Sequence, residues 1–263
     1  MPRADRQKPE QAPARSRQDA QSPMDARQAP GARTFNFSGL DQKALEVHRR
    51  LLEAYGERAH EARREPMHEL ISTILSQRTN WRNEDLAYRR MMERFVSWEG
   101  VEQADVTALA EAISPSNFAE VKAPNIQRTL RAIREARGEY NIDFLADLPV
   151  EEGLRWLLAL PGVGLKTATL VLLFCFRKSV LPVDTHVHRV SQRVGLIGPK
   201  VMHEAAHRLL LALLPPEPAL LYNFHLNLLT HGQKICTFSR PRCSKCVLRE
   251  VCDYYHDPTT EKY

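Results

Sequence analysis

Residues 160–167 read LPGVGLKT and separate two apolar, helix-prone stretches, EEGLRWLLAL before them and LKTATLVLLFCF after. Pro161 ends the first helix, and Gly162 and Gly164 supply the positive-φ backbone that turns the chain in so few residues. The second helix then opens with free N–H groups and the positive end of its dipole at a corner of small side chains. Such a corner serves either as a plain joint between helices or as a phosphate seat, with Gly162, Val163 and Gly164 as the positions a phosphate would approach. Lys166 stands in the first turn of the second helix, where a cation opposes the dipole at a cost of roughly a few tenths of a kcal/mol. The same field favours the neutral amine that a nucleophile needs. From this stretch alone Lys166 is open to three readings: a solvated side chain, a phosphate contact or a nucleophile.

Outward from the corner the pattern is helical. Leu45, His48, Leu51, Leu52 and Tyr55 form one stripe ending at Gly56, and Met67, Leu70, Ile71, Ile74 and Leu75 form another, opened by Pro66. Further helices are expected near 83–97, 105–113, 124–137, 150–160, 165–177, 185–194, 200–213 and 217–231. The only strand signal, SVLPV at 179–183, is short and contains proline, so an all-α fold is expected. Residues 1–35 are rich in Pro, Gln, Ala and Arg and read as a disordered basic tail.

Downstream, residues 182–196 read PVDTHVHRVSQRVGL. Asp184 precedes the periodic Val187, Val190 and Val194 as an N-cap does, and a carboxylate there stays ionised and faces developing positive charge. His186 and His188 point to different faces, which excludes a helical metal pair; His186 is a candidate for lining a pocket and His188 for surface or packing.

Residues 236–252, CTFSRPRCSKCVLREVC, carry Cys236, Cys243, Cys246 and Cys252 in the spacing C-x6-C-x2-C-x5-C. Four thiols in one short, loop-rich segment suit a single tetrahedral metal or one cubane cluster; the single C-x2-C knuckle departs from the paired knuckles of zinc ribbons. His231 is a possible substitute ligand or a neighbour of the site, and Cys175, inside an apolar helix, reads as core. Arg240, Arg242 and Lys245 give the loop a cationic rim, solvated or in contact with a DNA backbone.

Lys plus Arg exceed Asp plus Glu by 37 to 32, a mild bias towards polyanionic partners. The sequence offers neither a run of about 18 apolar residues nor the apolar core of a secretion signal. The expectation is therefore a soluble intracellular protein, without a membrane partner and with reduced cysteines.

LPGVGLK, then VDTHVHRV, then the cysteine series together resemble the endonuclease III family of helix–hairpin–helix DNA glycosylases, from about residue 40 to the C-terminus. The resemblance implies a two-lobed fold: a six-helix barrel at 58–178, and a discontinuous iron–sulfur lobe from 36–57 and 179–263 holding a [4Fe–4S] cluster on Cys236, Cys243, Cys246 and Cys252. It implies a monomer, cytoplasmic and associated with the nucleoid or nuclear in a eukaryote, acting on double-stranded DNA with damaged bases or abasic sites. Lys166 then matches the catalytic nucleophile and Asp184 the essential carboxylate of a bifunctional glycosylase and abasic-site lyase for oxidised pyrimidines.

Three positions depart from the common family pattern. In LSQRTNW (75–81), Arg78 stands where many members place a gap-filling glutamine, and Trp81 replaces an aspartate and reads as packing. Leu165 replaces an arginine before the nucleophile, removing one phosphate contact. Phe118 falls near the second expected wedge, with a core aromatic as its rival reading. Two other functions stay open: a monofunctional glycosylase for mismatched thymine or uracil, and a non-catalytic DNA-binding iron–sulfur protein.

Overall fold

The computed structural model describes residues 39–62, 64–257 and 259; the predicted tail lies outside them. Twelve α-helices follow one another among the described residues, with no strand: α1 Leu40–Tyr55, α2 Pro66–Ser76, α3 Trp81–Phe95, α4 Trp98–Gln103, α5 Val106–Ala112, α6 Ala119–Arg137, α7 Val150–Leu158, α8 Leu165–Phe176, α9 Thr185–Val194, α10 His203–Leu211, α11 Pro218–Lys234 and α12 Asp253–His256.

Capping chemistry explains two boundaries that periodicity misplaced. Asn80 accepts from the N–H groups of Arg82 and Asn83, so α3 begins at Trp81 rather than 83. Ser97 caps the short α4, which was not anticipated, by accepting from Gly100 N at 3.0 Å. Helix α6 starts at Ala119 rather than 124 and carries Pro124 inside it. In α1 the buried face is Ala44, Val47, His48 and Leu51; His48 and Leu51 belong to the predicted stripe, while Leu45 and Tyr55 are only partly buried against the core.

Two sets of neighbours emerge. Helix α2 packs on α3, α6 and α8, with α4 and α5 on α6 and α7 on α8; α1 and α9 pack on α11, with α10 and α12 on α9. Helix α8 is the shared centre, since Thr167 to Leu173 are all buried and α8 also touches α11. Being apolar all round, such a helix is stable only when enclosed. Gly153, in the interior of α7, carries no side chain where a Cβ would meet Leu172 Cδ2 at 3.2 Å. Its helix propensity penalty of about 0.5–1 kcal/mol is the cost of bringing α7 against α8.

Candidate active site and cysteine centre

The corner between α7 and α8 is built as its sequence requires at one glycine only. Gly162 has φ +77°, and a Cβ there would also meet Asn125 Cβ at 3.2 Å. Gly164 has φ −99° and is the extended N-cap of α8, which corrects the expectation of a positive φ at both positions. A Cβ at Gly164 would meet no protein atom within 4 Å, so its smallness serves space outside the fold. Val163 is 7% exposed and packs into the core, leaving only its backbone near the surface. The corner is held by side chains from two other helices or their ends: Thr129 Oγ1 donates to Pro161 O at 2.5 Å, and Gln77 Nε2 donates to Gly162 O at 3.4 Å.

Lys166 is half-buried in the first turn of α8. Burial pushes its pKa down, opposed first by the carboxylate of Asp184 and then by those of Glu69 and Glu84. Asp184 caps α9: its Oδ1 accepts from His186 N at 2.8 Å and Val187 N at 2.7 Å. Both anticipated residues therefore contribute to one electrostatic environment, though they are carried by different helices.

Two buried histidines fix the segment that delivers Asp184. His207 Nδ1 lies 2.9 Å from Leu181 O, and His225 Nδ1 lies 2.9 Å from Pro182 O. A carbonyl only accepts, so Nδ1 carries the proton in each ring. Burial lowers both pKa values, that of His207 to about 4, which keeps the rings neutral. Neither was singled out in the sequence. Nor were Glu69 and Glu84, although buried Glu84 lies on the same stripe of α3 as Ala87 and Met91, an acid on an apolar face, and is paired with Arg64 at 2.9 Å.

The two wedge candidates meet. Arg78 and Phe118 sit on separate loops with φ +53° and +62°, and the guanidinium carbon lies 5.6 Å from the ring centroid. Phe118 is 50% exposed, which removes the reading as a core aromatic. Trp81, expected to pack, is 69% exposed. Lys122, which the sequence reading missed, ties the loops together: its buried ammonium donates to Leu75 O, Gln77 O, Thr79 Oγ1 and Ser116 Oγ at 2.8, 2.6, 3.2 and 2.7 Å. Asn117 adds a bond from Nδ2 to Arg78 O at 2.6 Å.

None of the five cysteines is in a disulfide, and Cys236, Cys243, Cys246 and Cys252 line one cavity with Arg193 and Tyr254. Among the described residues no three His, Cys, Asp or Glu side chains are arranged to hold a single metal ion. Arg193 Nη1 approaches Cys236 Sγ at 3.4 Å, and His231 Nε2 lies 3.3 Å from Cys246 Sγ while its Nδ1 faces Tyr55 OH at 2.9 Å. His231 is thus beside the sulfurs rather than in their place. Burial raises the thiol of Cys246 to about 12, and burial also pushes the Cys252 thiol upward. Four thiols lining one cavity suit a cationic iron–sulfur group, whose charge would invert that preference. Cys175 is half-buried in α8, apart from this cavity.

The cysteine loop is fastened to the helix that Asp184 caps. Arg189 Nε donates to Cys236 O at 3.0 Å and its Nη2 to Gly232 O at 2.8 Å, with His186 Nδ1 3.1 Å away; Arg193 donates to Thr237 O and Phe238 O. His186 is therefore half-buried against Arg189 and Gly232, and His188 packs on His203 with ring centroids 3.8 Å apart. Arg242 and Lys245 are exposed on the loop. No described helix is long and apolar enough to cross a membrane.

A family model for HhH-GPD superfamily base excision DNA repair proteins matches residues 71–216. Endonuclease III of Thermotoga maritima is 34% identical over 191 residues, spanning 73% of this chain and 84% of that protein. Endonuclease III of Sulfolobus acidocaldarius is 30% identical over 190 residues, spanning 72% and 82%. Among solved structures, a trapped endonuclease III–DNA covalent intermediate superposes with a TM-score of 0.71 at 23% identity, covering 82% of this chain and 97% of that one, a likeness of fold. The hairpin, the helical order and the relatives lead to one placement: the chain belongs to the endonuclease III family within the HhH-GPD superfamily of base-excision DNA repair proteins.

Proposed function

We propose that this base-excision-repair glycosylase and abasic-site lyase acts on oxidised pyrimidines in duplex DNA, with Lys166 as nucleophile and Asp184 as the facing carboxylate. The observation that carries the reading is the half-buried amine whose pKa burial lowers, placed at the glycine corner with Asp184 in electrostatic range. DNA would lie with a phosphate at Gly162–Gly164 and Arg78 and Phe118 in the stack, and Arg242 and Lys245 would meet its backbone. Under this reading the barrel is 58–178 and the second lobe 36–57 with 179–263.

A damaged base extruded from the duplex exposes C1′ of its sugar. The neutral amine of Lys166 attacks C1′, and the base leaves with the electron pair of the glycosidic bond and takes up a proton. Asp184 stabilises the positive charge that develops on the sugar. Loss of a proton from nitrogen and ring opening give an imine; removal of a C2′ proton then expels the 3′ phosphate by β-elimination, and water releases the lysine.

Cys236, Cys243, Cys246 and Cys252 would hold a [4Fe–4S] cluster, supported by their shared cavity and all-sulfur donor set. When bound, it would supply structure to the loop bearing Arg242 and Lys245 rather than reaction chemistry.

The test is incubation with duplexes containing thymine glycol, 5-hydroxyuracil or an abasic site, followed by borohydride. A covalent adduct is expected. Base release without an adduct would instead establish a monofunctional enzyme, and neither outcome would leave a DNA binder.

A further inference from the structure

Trp81 is 69% exposed and stands one turn before Glu84, whose carboxylate bears electrostatically on Lys166. It occupies the first position of α3, directly after the cap Asn80 and three residues beyond Arg78. Helical side chains lean towards the N-terminus, and the segment N-terminal to Trp81 is the loop of Arg78. Glu84 lies one turn further along the same face, buried and paired with Arg64. Helix α3 packs on α2, and α2 packs on α8, the helix of Lys166. Arg82 sits 5.4 Å from the Trp81 ring centroid, a cation against the indole, which stays largely exposed.

We propose that Trp81 is the platform on which the extruded base stacks, so that the enzyme favours planar oxidised pyrimidines such as 5-hydroxyuracil and 5-hydroxycytosine over ring-saturated ones such as thymine glycol. The inference rests on the glycosylase function proposed above. Planar bases offer a π-face to an indole; a saturated, puckered ring does not. Specificity thereby comes from stacking, not from hydrogen bonding by the residue at this position.

The experiment is single-turnover base excision from two duplexes alike except for 5-hydroxyuracil or thymine glycol, using the full chain and the variants Trp81→Ala and Trp81→Phe. Loss of one aromatic–base stack corresponds to about 5- to 150-fold. The ratio of rates, planar over saturated, is expected to fall at least about tenfold in Trp81→Ala and by less than about threefold in Trp81→Phe. Equal losses on both lesions, or no change in the ratio, would overturn the platform while leaving the enzyme in place. Wild type inactive on both duplexes and unable to form an adduct with abasic DNA would overturn the enzymatic reading, and the platform with it. Because Trp81 is exposed at a helix start, thermal unfolding of Trp81→Ala is expected to match wild type, which separates this result from misfolding.

Discussion

Arg78 and Phe118 touch across two loops, guanidinium to ring at 5.6 Å, while each holds a left-handed backbone that neither residue type favours. Two unfavourable conformations of about 1 kcal/mol or more each persist where surrounding structure overdetermines them, and here Lys122 and Asn117 do so. Glycine at either position would relieve the strain and remove the wedge. Arg78→Gly and Phe118→Gly are expected to keep or raise stability by up to about 1 kcal/mol, while excision from duplex DNA falls at least about tenfold. Thermal melts set beside excision rates check this; a parallel loss of both would mark the pair as structural.

Lys122 has four oxygens within reach, to which the ammonium offers three N–H donors and the neutral amine only two. Lys122→Met is expected to cost about 2–4 kcal/mol in urea unfolding, since it strands buried carbonyls, and to weaken binding of an uncleavable abasic analogue. Burial lowers this lysine to about 8 from 10.5. Between those values the unfolded chain holds the proton and the native one releases it, so this group does not lower global stability as pH rises. What is lost above about pH 8 is the local tie. Affinity for the analogue, measured in a Lys166→Gln background, should fall through that pH.

Lys166→Gln should eliminate the borohydride adduct while retaining DNA binding. Asp184→Asn keeps an oxygen to cap α9 but not the charge, and base release should slow by about 10²–10³. Since burial lowers the Lys166 pKa, the excision rate should climb with pH and level off below 10.5, the ordinary lysine value. A climb that continues past that value would place the nucleophile elsewhere.

Glu102 is buried and accepts from Arg134 Nε and Nη2 at 2.9 Å each, Tyr140 OH at 2.8 Å and Arg131 Nε at 3.3 Å. These bonds, led by Arg134, hold its pKa at about 2, below the ordinary 4.5. A depressed carboxylate contributes stability that is complete above 4.5 and disappears as pH falls towards 2. Glu102→Gln should cost about 1–3 kcal/mol at neutral pH, the arginines being half in solvent, and flatten the acid limb of the stability curve.

Protein prepared without oxygen should contain iron and acid-labile sulfide in equal amounts, and Cys246→Ser should lose both together with thermal stability. Zinc without sulfide would replace the cluster with a mononuclear site.

Periodicity alone made the helical fold legible because apolar positions three and four apart define a buried stripe whatever the partner is. Lys166, Asp184 and the four cysteines stood out as candidates for a different reason: each belongs to a local motif, a glycine corner, a cap and a knuckle, that spans only a few residues. Val163 and Gly164 show the limit, since the same motif did not reveal which member packs inwards and which faces open space.

What the order of residues determined by itself was therefore the set of helices, the corner and the short-range chemistry at its ends. The tertiary structure alone decided that Glu69 and Glu84 bear on Lys166, that His207 and His225 hold the segment leading to Asp184, and that Lys122 joins the loops of Arg78 and Phe118. These relationships depend on burial and on distances between segments remote in sequence, and a side chain's charge preference is set by the neighbours that folding brings to it.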